Sequence, residues 1–151
     1  MKFFRPSMRL AAVAAACVIS NVVPTEAAAQ GAARTVVLVH GAFADGSSWH
    51  KVIPILTKAG LKVVAVQHPL DSLANDVAFT TRALDIAEGP VVLVGHSYGG
   101  VVITEAGVHE KVKALVYIAA HMPDVGQSMT DVAKTYPPAA GRPFIHADSK
   151  G

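Results

Sequence analysis

Cysteine is almost missing from this chain: of 151 residues only Cys17 is one. It lies in an apolar stretch near the N-terminus. A chain cut behind that stretch keeps no thiol, which excludes disulfides, cysteine nucleophiles and thiolate metal sites. A lipid-anchored cysteine wants a larger aliphatic residue three positions earlier, where Ala14 stands. An excess of one charge is also lacking. The formal charge is +2, from 13 basic and 11 acidic residues. Removing Lys2, Arg5, Arg9 and Glu26, all before residue 30, leaves ten of each and no net charge. The basic pI therefore points to no nucleic-acid partner. Gly95 to Gly100 lacks both the G-x-G-x-x-G spacing and the Walker lysine of phosphate loops. No histidines and carboxylates stand at metal-ligand spacing.

What is present begins with a leader. Lys2, Arg5 and Arg9 form a basic region, Leu10 to Val23 is uncharged and apolar, and Ala27-Ala28-Ala29 supplies small residues for a peptidase. This pattern predicts a secretory signal over residues 1–29, cut after Ala29, and an exported (periplasmic or secreted) mature chain. The apolar run of about 14 residues falls short of the roughly 20 that span a bilayer, so no stable membrane association is expected once the signal is removed. Residues 30–151 suffice for one domain at most.

Four unbroken apolar, β-branched runs follow: Thr35–Val39, Lys62–Val66, Val91–Val94 and Ala114–Ile118. Such runs suit strands covered on both faces of a parallel sheet. Between them, Ser48 predicts the cap of a helix running to about Ala59, with Gly60 stopping it and Pro54 disturbing one turn. Asp71 or Ser72 caps a second helix through Glu88, with Leu73, Val77, Leu84 and Ala87 on one side. A third helix starts near Ser97 and ends near Glu110. The order β-α-β-α-β-α-β predicts an α/β fold, a doubly wound parallel sheet of about four strands with helices on both faces. From about His121 the chain turns Pro-rich, and an irregular, cap-like tail is expected.

The chemistry centres on Gly95-His96-Ser97-Tyr98-Gly99. This G-x-S-x-G follows a strand and opens a helix, the context in which a sharp turn lifts a serine above the sheet. Serine needs a base to remove its proton and donors aimed at the oxyanion formed on attack. His40-Gly41-Ala42-Phe43 follows the first strand, and strand ends of such sheets share one edge. The backbone N–H groups of Ala42 and Tyr98 are the expected oxyanion donors, with Phe43 as the alternative to Ala42. His50 and His68 are expected on the surface or in loops.

With Ser48-Trp49-His50-Lys51-Val52-Ile53-Pro54 and Ala119-Ala120-His121-Met122-Pro123, these motifs make Thr35 to about Gln127 resemble the α/β-hydrolase superfamily, in its branch of small esterases and hydroxynitrile lyases. The resemblance implies an α/β-hydrolase fold, Ser97 as nucleophile, His96 as a neighbour shaping the turn, and Phe43 and His121 facing a small-molecule ester substrate. It implies no cofactor and no metal. It also implies that Pro54 is at home in its helix. The family's acid and base follow later strands than any present here. Asp124 and His146 have the right order but no strand end to hold them, and Asp131 lies further into the tail. The chain therefore reads as the N-terminal part of an esterase-type serine hydrolase, inactive by itself. Plant lyases of the branch tend to carry a polar residue where Gly41 stands, which favours hydrolysis. A cyanohydrin-splitting lyase and a non-catalytic binding remnant are the alternatives; oligomeric state is not legible.

Overall fold

A computed structural model of the protein describes residues 32–138, 140–144 and 146. The leader segment 1–29 lies outside them.

Four parallel strands form one sheet: β1 (Thr35–Val39), β2 (Lys62–Ala65), β3 (Val91–His96) and β4 (Val112–Ile118), in the order β2-β1-β3-β4. β1 is buried at every position. Its side chains alternate between two cores, as the period of two in a strand requires. Val37 and Val39 join Leu84, Val91, Leu93, Val102 and Ile103 on one face. Val36 and Leu38 join Trp49 and Val94 on the other. The helices α2 (Leu73–Ile86) and α3 (Gly99–Ala106) supply Leu84, Val102 and Ile103 to the first core. The second is covered by a 3-10 turn, Gly46–Trp49, and by α1 (Ile53–Lys58), through Ile53 and Leu56. A doubly wound sheet with helices on both faces is therefore the architecture.

The chain leaves β1 for β2 on one side and returns to β3 on the other. The C-terminal ends of β1 and β3, in register at Val39 and Gly95, thus flank the point where the winding reverses. In open α/β sheets the crevice for ligands forms there.

Several expectations need correction. There is no continuous helix from Ser48 to Ala59. Asp45, not Ser48, caps the 3-10 turn by accepting from the Ser47 N–H at 2.7 Å. Pro54 does not kink α1; it sits in its first turn, where no backbone donor is needed. α2 is capped by Ser72, whose hydroxyl accepts from the Asn75 N–H. Of its expected inward side, Val77, Leu84 and Ala87 pack on the core, joined by buried Asp76, Thr80 and Ala83, while Leu73 is 38% exposed. α3 ends at Ala106, short of Glu110. The tail is not wholly irregular: Ser128 caps a short helix, α4 (Met129–Lys134), by accepting from the Asp131 N–H. β4 is one edge of the sheet, opposite β2, with Val116 and Ile118 partly exposed.

Candidate active site

Ser97 occupies the turn between β3 and α3 with φ of 53°, a left-handed conformation that L-residues avoid. Its surroundings hold it there. The Ser97 N–H donates to the Ile118 carbonyl at 3.4 Å, and its own carbonyl accepts from the amides of Gly100 at 3.0 Å and His121 at 3.1 Å. The end of β4 thus clamps the turn from outside. The turn's tightness explains its glycines: a Cβ on Gly95 would meet the Gly99 carbonyl oxygen at 2.5 Å.

The first-strand bend lies against this turn. A Cβ on Gly41 would stand 3.0 Å from Ser97 Cβ. The Ala44 N–H donates to the Gly41 carbonyl, closing a turn with Ala42 and Phe43 at its corners. Among the described residues, neither the Ala42 nor the Tyr98 N–H meets a backbone acceptor outside the regular elements. The same holds for Phe43, so the two choices for the first donor stay equivalent on this criterion. Phe43 is 95% exposed. His121 is exposed, and what ties it to the site is its amide on the Ser97 carbonyl. His96 meets Trp49 edge to face, with centroids 6.4 Å apart.

Asp124 and His146 are both exposed, and Asp124 sits in a turn closed by its own bonds with Gln127. No hydrogen bond or ion pair among the described residues joins either one to Ser97. Asp131 is taken up by Ser128 and Lys134. Among the described residues no three metal-binding side chains cluster.

Sequence reasoning missed a buried polar cluster under this site. His68, expected on the surface or in a loop, does lie in the loop after β2 but is only 5% exposed. The chain after β2 folds back, and the His68 ring stacks on His40 with centroids 3.8 Å apart and 8° between planes. Its Nε2 is 3.2 Å from the His40 carbonyl oxygen. Its Nδ1 lies 3.2 Å from Asp76 Oδ1 but is not aligned for a hydrogen bond. Asp76, fully buried, accepts from the Leu70 N–H at 2.9 Å and from the Tyr98 hydroxyl at 2.8 Å. Burial, and then Asp76, push the Tyr98 phenol well above its usual range, so it remains a donor. Burial also holds His40 below the ordinary histidine value, and the neighbouring His68 adds to this. One signal could have found the cluster: Asp76 lies four, seven and eight residues before Thr80, Ala83 and Leu84, a charged residue on the inward stripe of α2.

The chain belongs to the alpha/beta hydrolase family, whose model matches residues 36–150. It is similar to the carbendazim hydrolyzing esterase of Nocardioides sp. (strain SG-4G), 34% identical over 126 residues, covering 72% of this chain and 51% of that protein. It is similar to the alpha-hydroxynitrile lyase of Arabidopsis thaliana, 31% identical, covering 66% and 45%. Among solved structures it resembles an extracellular alpha/beta-hydrolase from a Paenibacillus species, with a TM-score of 0.61 and 26% identity, covering 73% and 49%. The chain spans about half the length of these relatives.

Proposed function

We propose that the protein is a serine hydrolase of small carboxylic esters, acting by acyl transfer through Ser97. The Ser97 hydroxyl loses its proton as its oxygen attacks the ester carbonyl. The tetrahedral oxyanion accepts from the amides of Ala42 and Tyr98. Collapse expels the alcohol, which takes up the proton, and leaves an acyl-serine. Water then attacks, the acid departs, and Ser97 regains its hydrogen. Phe43, exposed on the bend, offers apolar contact to the substrate, and His121, joined to Ser97 through its amide, is the second residue proposed to face it. The base and its orienting acid, in this proposal, come from chain outside the described residues.

One observation carries the reading: a serine at φ 53° stands at the winding reversal with Gly41 packed against it. The likeness to a carbendazim hydrolyzing esterase supports the esterase class. The relatives also include a hydroxynitrile lyase, and release of cyanide from a cyanohydrin distinguishes that chemistry. Export, with cleavage after Ala29, belongs to the same proposal and is checked by sequencing the N-terminus of the secreted protein.

The protein, expressed from its complete reading frame, is treated with a fluorophosphonate probe and digested for mass spectrometry. Labelling at Ser97, lost in Ser97→Ala, is the expected result. A folded protein that stays unlabelled, or is labelled elsewhere, overturns the reading.

A further inference from the structure

We propose that Tyr98 and Asp76 are positioning residues: their side-chain hydrogen bond, together with the contact of Asp76 with His68 and the stacking of His68 on His40, ties the two turns carrying the Ala42 and Tyr98 amides into one unit. This rests on the reading of Ser97 as nucleophile and concerns how its oxyanion donors are held.

An oxyanion donor at position 98 needs only a backbone N–H. Position 98 nevertheless carries a phenol that reaches away from the turn and donates to Asp76 Oδ2 at 2.8 Å. Asp76 stands in the first turn of α2 and is 0% exposed. A buried carboxylate costs several kcal/mol unless donors meet it, and here the Leu70 amide and the Tyr98 hydroxyl do so. Leu70 holds the left-handed conformation, φ 62°, so the loop after β2 is itself bent to present that amide. His68, two residues earlier, brings Nδ1 to 3.2 Å from Asp76 Oδ1 and Nε2 to 3.2 Å from the His40 carbonyl. That carbonyl belongs to the peptide linking His40 to Gly41, one residue before Ala42. His40 Nδ1 in turn lies 3.0 Å from the Gly41 carbonyl.

The path Tyr98–Asp76–His68–His40 therefore starts on one donor-bearing turn and ends on the other. Apolar side chains would fill the same space but would leave the two turns free to slide. The Tyr98–Asp76 hydrogen bond and the parallel His68–His40 stack have preferred angles and set orientation, while the Asp76–His68 contact between them, not aligned as a hydrogen bond, holds only the distance. Orientation matters here because removing an oxyanion donor costs about 10²–10³ in kcat, and a misplacement of about 1 Å costs about 10².

The test uses the protein from its complete reading frame and p-nitrophenyl acetate, with wild type, Ser97→Ala, Tyr98→Phe, Asp76→Ala and Asp76→Asn. Tyr98→Phe keeps the ring and the backbone donor and removes only the hydroxyl. Its kcat is expected to fall about tenfold to a hundredfold, with KM little changed, while circular dichroism stays that of wild type. Asp76→Asn, which keeps a polar partner for Tyr98, should retain more kcat than Asp76→Ala. A merely structural role would lower the unfolding midpoint and spare the kcat of folded protein. If wild type depends on Ser97 but folded Tyr98→Phe keeps full kcat, the positioning role is overturned and the nucleophile stands. If Ser97→Ala is as active as wild type, the nucleophile reading fails and this proposal falls with it. Should Asp76→Ala not fold, Tyr98→Phe alone decides.

Discussion

Ser97 is held at φ 53° by bonds from both sides of its turn. For a residue with a Cβ this conformation costs about 1–2 kcal/mol. Ser97→Gly should therefore be more stable than Ser97→Ala by about 1 kcal/mol, since only glycine escapes the penalty. Urea unfolding of the two variants measures the difference, and equal midpoints would mean that the turn is not strained. The opposite demand falls on Gly99. A Cβ there would meet the carbonyl oxygens of Val39 and His40 at 2.6 and 2.7 Å. Gly99→Ala has to push the helix start away from the end of β1 and should cost about 1–3 kcal/mol. The glycines of G-x-S-x-G were legible as such in the sequence; that Gly99 serves the approach of β1 was not, because its partner lies some sixty positions earlier in the chain.

At the scale of elements, α2 carries the buried carboxylate and depends on its cap. Ser72→Ala removes the acceptor for the Asn75 amide and should cost about 1 kcal/mol in urea unfolding. Burial of His40 gives the loop after β1 a pH dependence of definite sign. His40 is depressed below its ordinary value of 6.5 in the folded protein. The unfolded chain therefore binds its proton at a higher pH than the folded one does. Stability from this group is complete above about pH 6.5 and is lost as pH falls from there toward the folded value. NMR titration of the His40 ring should give a value below 6.5; a value at or above it would contradict the burial argument. The strands were readable from their apolar runs, and the order of elements from their alternation. Helix boundaries were not, because Pro54 begins a helix as readily as it interrupts one. The inward face of α2 was readable from Val77, Leu84 and Ala87, which pack on the core, while Asp76 on that same side was missed because its partners are all distant in sequence.

At the scale of the molecule, β4 ends the sheet with an apolar strand. Val116 is 40% and Ile118 43% exposed. Edges of this kind present unpaired backbone groups and invite pairing with another chain. Sedimentation velocity on this 151-residue chain should show the mean mass rising with concentration, and Val116→Lys should reduce the rise. A monomer at all concentrations would show that the edge is protected.

The sequence by itself determined the class of fold, the serine in its sharp turn and the bend that faces that serine, because each of these is written in local spacing: unbroken apolar runs, alternating elements, and glycines around one hydroxyl. Only the tertiary structure decided that His68, Asp76 and the Tyr98 phenol meet beneath the site. Their meeting depends on how a loop folds back and on which side of a helix turns inward, and the energy that settles both, the burial of polar groups against partners far away along the chain, has no local signature.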